Sequence, residues 1–146
     1  MGAELYPTVR AWLTRARNDL ANAEFTAAHR GDLLDTVVYH CQQAAEKAVK
    51  SYLVSEGLAI PKTHDVGKLV ELATAKHAEF SHFQQVADAI TPLATEFRYP
   101  ADDEAPMPTA QQAQDALAAA RAGTKNTRAA HSASLPAQRG AAPQSW

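Results

Sequence analysis

The 146-residue sequence has a single cysteine, Cys41, and no apolar run near the roughly 20 residues that cross a membrane. A lone cysteine excludes an internal disulfide, and no CxxC or Cys/His signature accompanies it. We therefore expect a buried structural thiol in a reducing compartment rather than a nucleophile. The N-terminus also lacks the apolar core and cleavage site of a signal peptide. Together these absences predict a cytoplasmic protein without a membrane partner.

The familiar signatures of catalysis are missing as well. The sequence contains no phosphate-binding glycine loop, dinucleotide fingerprint, GxSxG elbow or HExxH helix. His77 and His82 flank a predicted turn without a third ligand nearby in sequence, so we expect no metal and no cofactor. A formal charge of −2, from 14 Lys and Arg against 16 Asp and Glu, argues against a generally basic nucleic-acid binder but permits a local basic face.

What the sequence does contain is helical periodicity, longest from Asp32 to Gly57. Apolar residues recur there at spacings of three and four on more than one face, which predicts a central helix that touches several others. They are Leu34, Val37, Val38, Cys41, Ala44, Ala45, Ala48, Val49, Tyr52 and Leu53. We expect Cys41, Ala45 and Val49 at the centre of the core.

Four further helices are predicted, over Pro7 to Arg30, from Thr63 or Asp65 to about Lys76, from Ser81 to Arg98, and from Thr109 to Gly123. Asp32 is placed to cap the central helix, and Thr63 or Asp65 to cap the third. Ser81 with Gln84 and Thr109 with Gln112 form capping-box patterns. No segment favours a strand. The expected fold is all-α, an up-and-down four-helix bundle with a shorter fifth helix.

The composition changes after Gly123. Residues 124–146 have no acidic residue and no sustained periodicity, and they carry the cations Lys125, Arg128 and Arg139. We interpret residues 1–123 as the bundle and 124–146 as a disordered basic tail. A solvated extension is a simpler interpretation of this tail than a nucleic-acid contact.

A polar line runs along the central helix through Thr36, His40, Gln43, Lys47 and Lys50, with Glu46 one turn before Lys50. Two interpretations are open. The line is either an internally hydrogen-bonded or solvated face that sets helix register, or part of a phosphate- or nucleotide-binding groove. The groove would be formed by Lys47, Lys50, His64 and Arg98.

Four motifs carry a family resemblance: Trp12 followed by Asp19-Leu20, the stretch QQAAEKA from Gln42 with Lys50 beyond it, KTHD from Lys62, and RYP from Arg98. In this order they resemble the HEPN family of prokaryotic helical-bundle proteins, over about residues 8 to 122. The resemblance implies a commonly dimeric bundle encoded beside a minimal nucleotidyltransferase in toxin–antitoxin operons. Several HEPN branches are metal-independent ribonucleases.

The sequence departs from those ribonuclease branches after Arg98. They place a histidine about four to six residues after the arginine, as an acid or base beside a phosphate-binding cation. Here Arg98 is followed by YPADDEA, without a histidine. The leading expectation is a nucleotide- or RNA-associated HEPN module with little or no catalysis, working with a nucleotidyltransferase partner. The alternatives are an endoribonuclease that uses Arg98 and His64, and a purely structural dimerisation bundle.

Overall fold

The structure, a computed structural model, describes residues 6–98 and 106–134, without the side chains of Arg98 and Ser134. Five α-helices occupy these ranges: α1 (Tyr6–His29), α2 (Leu34–Ser55), α3 (Val66–Lys76), α4 (Gln84–Arg98) and α5 (Ala110–Ser134). A 3-10 helix, Ala78–Phe83, connects α3 to α4. Neither range contains a strand, and the predicted all-α class is confirmed.

Helix α2 is the centre of the bundle, because it contacts each of the other four α-helices. Cys41, Ala45 and Val49 have no exposed surface, as predicted. Burial on several faces explains why the apolar pattern of α2 is wider than the single stripe of a surface helix. Neither described range contains a helix of sufficient length and hydrophobicity to span a bilayer.

Gly57 ends α2 where the sequence predicts. Its φ of 72° is the left-handed conformation that glycine adopts most readily. The N–H of Leu58 donates to the carbonyl of Leu53 at 3.0 Å, and the N–H of Gly57 donates to Val54 at 2.9 Å. These two bonds form a Schellman motif that satisfies the last carbonyls of the helix.

Two of the predicted helix caps are confirmed. Asp65 accepts a hydrogen bond from the N–H of Lys68 at 3.3 Å and caps α3. Thr109 and Gln112 form a reciprocal capping box, with N–H to side-chain distances of 2.9 and 3.1 Å.

Two other predicted caps are wrong. Asp32 accepts two hydrogen bonds from the Arg30 guanidinium, at 2.9 and 2.8 Å, and Leu33 occupies the N-cap of α2. Ser81 lies within the 3-10 helix, which buries Phe80 and Phe83 and delays the start of α4 to Gln84. In the first place an ion pair with a neighbouring arginine replaces the cap, and in the second a 3-10 turn does.

The predicted end of the fifth helix at Gly123 is also wrong. Helix α5 continues to Ser134 and is the longest of the five at 25 residues, not a shorter one. A Cβ on Gly123 would lie 2.9 Å from Cζ of Phe83 and 3.6 Å from Cβ of Ala45, so this glycine permits close packing instead of ending the helix.

The expected disordered tail does not begin at Thr124. Thr127 and Ala130 are fully buried and His131 is 7% exposed, so the segment 124–134 packs on the bundle. The remainder of the expected tail, residues 135–146, lies outside the described residues.

Candidate functional site

The first polar group joins α1 to α2 and is named here the Asp19 cluster, formed by Asp19, His40 and Lys47. Asp19 Oδ1 lies 2.8 Å from His40 Nδ1, and Asp19 Oδ2 accepts from Lys47 Nζ at 2.5 Å. His40 and Lys47 are two helical turns apart on α2 and share a face. One carboxylate therefore bridges two positions of α2 and sets the register of α1 against it.

The second group is named the Glu46 cluster, formed by Gln42, Gln43, Glu46, Lys50 and His64. The Glu46 side chain is 4% exposed, and its Oε1 accepts from Lys50 Nζ at 2.6 Å. Its Oε2 accepts from the amide nitrogens of Gln42, at 2.9 Å, and Gln43, at 3.4 Å. A buried carboxylate needs such partners, because an unpaired buried charge is strongly destabilising.

His64 approaches this carboxylate from the turn between α2 and α3. Its Nδ1 lies 3.1 Å from Glu46 Oε1, while 84% of its side chain is exposed. Its carbonyl accepts from Gln42 Nε2 at 2.9 Å and from Thr91 Oγ1, on α4, at 3.4 Å. The turn is thus tied to two helices, and a solvent-exposed imidazole is held on a buried anion.

The lysines of the predicted phosphate groove are both paired with carboxylates. The Lys50 side chain is 8% exposed, and its Nζ lies 5.5 Å from the centroid of the Trp12 ring, within cation–π range. Lys47 belongs to the Asp19 cluster. The structure therefore brings Lys50 and His64 together on Glu46 and gives Lys47 a different partner. For these two lysines the arrangement agrees with the interpretation of an internally hydrogen-bonded face.

Arg98, the fourth predicted site residue, ends α4, and its side chain lies outside the described residues, as do Tyr99 and Pro100. Thr91, which contacts the turn of His64, precedes Arg98 by seven residues. That spacing is about two helical turns, or roughly 10 Å along the axis, on the same face of α4. The backbone of Arg98 therefore lies about two turns along α4 from the point where Thr91 contacts the His64 turn.

An acidic groove lies beside this turn. Its volume is about 490 Å³, and it is lined by Asp65, Asp88, Thr91, Pro92, Thr95 and Glu96. Three carboxylates in one groove disfavour a phosphate inside it. This groove was not predicted from the sequence, although the spacing of Asp88, Pro92 and Glu96 by four residues was a signal that they share a face of α4.

A further polar contact, between Ser51 and His131, was missed because the predicted fifth helix ended too early. Ser51 Oγ donates to the carbonyl of Ala48 at 2.6 Å and lies 3.2 Å from His131 Nε2. Burial lowers the pKa of His131 to about 4.

Cys41 is buried in the core as a free thiol. Burial raises the pKa of Cys41 to about 12, so its thiol is protonated at neutral pH and a poor nucleophile. No group of three or more His, Cys, Asp or Glu residues in the two described ranges is arranged to hold a metal ion.

The family follows from comparison with known proteins. The model of the HEPN domain matches residues 9–122. This chain belongs to the HEPN family. The crystal structure of an archaeal HEPN homologue superposes with a TM-score of 0.64 and 23% sequence identity, covering 83% of this chain and 95% of the homologue. No curated protein matches the sequence. Membership makes the chain a helical domain of a class associated with nucleotides and RNA.

Proposed function

We propose that this HEPN chain is a nucleotide- or RNA-associated module with little or no catalysis, which works with a nucleotidyltransferase partner in a toxin–antitoxin-like pair. The observation that carries the proposal is the position of His64, an exposed imidazole fixed on the buried Glu46, in a turn whose carbonyl accepts from Thr91 of α4. Histidine and arginine are side chains that bind phosphate.

Lys50 and Lys47 would support this site without contacting the phosphate directly. Their ammonium groups are committed to Glu46 and Asp19, so they balance buried charge before any ligand arrives. The direct contacts to a phosphate would then come from His64 and Arg98. The missing histidine after Arg98 supports weak or absent RNA cleavage, because proton transfer contributes roughly 10²- to 10⁴-fold to such reactions.

Binding of single-stranded RNA at several salt concentrations tests the phosphate site. We expect binding that weakens as salt rises, and Arg98→Ala should remove about one phosphate contact, lowering the slope of log K against log salt by roughly 0.7. Arg30→Ala is the matched control, since Arg30 is an exposed arginine bound to Asp32 before α2 begins. Equal effects of the two substitutions would contradict the site.

A second function, metal-independent RNA cleavage through Arg98 and His64, is favoured by one specific contact. A carboxylate on Nδ1 orients an imidazole so that Nε2 can accept a proton, as in catalytic carboxylate–histidine pairs. Purified protein should nevertheless cleave RNA no faster than the His64→Ala variant. Cleavage without metal that disappears in that variant would establish the second function instead.

The partner and the oligomer have their own tests. A small nucleotidyltransferase of the GSx10DxD type encoded beside this gene would support the pairing, and a different neighbour would count against it.

We also propose a homodimer, as is common among HEPN domains, with an interface of about 1,200 Å² or more. Sedimentation showing only monomer at tens of micromolar would argue for a different state.

A further inference from the structure

The Glu46 cluster determines which nitrogen of His64 carries a proton. The other side chains that contact the Glu46 carboxylate are N–H donors, namely the amides of Gln42 and Gln43 and the ammonium of Lys50. A carboxylate surrounded by donors accepts at both oxygens. His64 Nδ1, 3.1 Å away, must therefore donate, and the neutral ring is the Nδ1–H tautomer.

This tautomer decides what the exposed nitrogen can bind. With the proton on Nδ1, Nε2 of the neutral ring carries only a lone pair. Phosphate oxygens that carry no proton also present only lone pairs, so the neutral ring cannot donate to them. Protonation converts Nε2 into a donor while Nδ1 keeps its bond to Glu46, and the imidazolium then lies between two anions.

We propose that His64 is a proton-linked phosphate contact, which binds a nucleotide or RNA phosphate through Nε2–H only as the imidazolium. Binding takes up one proton from solvent onto Nε2, and no covalent bond forms or breaks. The inference rests on the proposed function, because it concerns the same side chain, and it adds a regulation by pH that the site does not otherwise imply.

The charges around His64 explain why the proton is needed. From α2 come Glu46 and Lys50, whose charges offset each other, and α1 contributes the uncharged Trp12 next to Lys50. The turn itself supplies Lys62 and Asp65, and the groove beside it adds Asp88 and Glu96 of α4. Carboxylates outnumber cations among these groups before a ligand arrives, so an added positive charge on His64 offsets part of the repulsion of a phosphate.

A ligand hydroxyl would behave differently. A ribose hydroxyl can donate to the lone pair of neutral Nε2 and can also accept from the Nε2–H of the imidazolium, so its binding would depend little on pH. Affinity that falls as pH rises therefore distinguishes phosphate recognition from hydroxyl recognition at the same nitrogen.

The test has two parts on the full chain. Nitrogen NMR of protein labelled at histidine should show the Nδ1–H tautomer of His64 when its ring is neutral. Calorimetry with a uridine-only RNA oligomer, whose phosphodiesters do not titrate between about pH 5.5 and 8, should show affinity falling as pH rises, by up to about tenfold per pH unit. Buffers of different ionisation enthalpy should reveal uptake of up to one proton.

Matched variants separate His64 from the other histidines. His64→Gln should bind with an affinity that no longer depends on pH. His40→Gln removes the similar histidine of the Asp19 cluster, and His82→Gln removes an exposed histidine paired with Glu79. Both of these variants should keep the pH dependence of the unmodified protein.

Each other outcome overturns the inference. An Nε2–H tautomer of the neutral ring, or affinity that rises with pH, would show that phosphate binding does not require the imidazolium. Salt-sensitive binding that ignores pH would overturn the proton linkage and leave the proposed function standing. Absence of RNA binding at every pH would overturn both.

Discussion

The Asp19 and Glu46 clusters use the same three kinds of group, a carboxylate that bridges a histidine Nδ1 and a lysine Nζ, but they distribute exposure differently. In the Asp19 cluster the side chains of Asp19, His40 and Lys47 are 13%, 24% and 22% exposed. In the Glu46 cluster the carboxylate and Lys50 are 4% and 8% exposed, whereas His64 is 84% exposed. The three side chains of the Asp19 cluster are shielded from solvent to a similar degree. The Glu46 cluster instead combines a buried ion pair with the solvent-exposed imidazole of His64.

The difference comes from where each histidine is attached. His40 belongs to α2 itself, and α1 packs over it. His64 belongs to a turn, which can bring a side chain to the carboxylate from outside while its ring stays in solvent. The same chemistry sets helix register in the Asp19 cluster, whereas our proposal gives it a ligand contact in the Glu46 cluster, in keeping with the frequent location of binding residues on turns held by a rigid scaffold.

The largest expected effect is a loss of stability that differs between the carboxylates Glu46 and Asp19. Glu46→Ala leaves Lys50 buried without its anion and should lower the free energy of unfolding by about 3 to 5 kcal/mol. Asp19→Ala should cost about 1 to 2 kcal/mol, because Lys47 can reach water. Chemical denaturation followed by circular dichroism measures both. Glu24→Ala, which breaks an exposed pair with Arg121, is the control; equal losses for Glu46 and Asp19 would break the comparison.

His131 sharpens the comparison, because it is a buried histidine whose Nε2 lies 3.2 Å from the Ser51 hydroxyl. Its folded pKa of about 4 lies below the unfolded value of about 6.5, so the unfolded chain binds the proton more readily. Stability from this residue is present above pH 6.5 and is lost as pH falls toward 4, by about 3 kcal/mol in total.

The measurement is the unfolding free energy between pH 7 and 4. His131→Gln should flatten this part of the profile, while the exposed His82→Gln should leave it unchanged. An unchanged profile in His131→Gln would show that other groups cause the loss of stability in acid.

A smaller effect is expected on the uncharged side of α2, where Ala45 lies near Gly123 of α5. Gly123→Ala should destabilise by about 1 to 2 kcal/mol, since its methyl group crowds Phe83. Gly31→Ala is the control, because a Cβ there meets nothing within 4 Å. The rate at which a thiol reagent modifies Cys41 reports opening of the core, and it should rise only in Gly123→Ala.

The smallest effect concerns the two histidines themselves. His40→Gln should change stability by up to about 1 kcal/mol, as for a partly exposed ion pair, and His64→Gln by less. Thermal unfolding at neutral pH compares them. A larger loss for His64→Gln would mean that the ring mainly holds the turn, which would weaken its assignment to ligand binding.

Local signals predicted much of the fold and less of the site. The end of α2 at Gly57, the cap at Asp65 and the capping box of Thr109 with Gln112 were all predicted, because each depends on residues within a few positions of one another. Asp32 and Gly123 have equally strong local signals, and both predictions were wrong. Nearby side chains gave each residue a different role.

By itself the sequence determined that this protein is a bundle of helices with α2 at its centre, since the period of the apolar residues sets which faces must be buried. Only the tertiary structure decided that Glu46 holds His64, 18 residues away, and that Asp19 takes Lys47, 28 residues away. Helical periodicity orders residues along one helix, but it does not say which carboxylate a distant side chain will meet. Packing decides that, and with it which histidine remains open to a ligand.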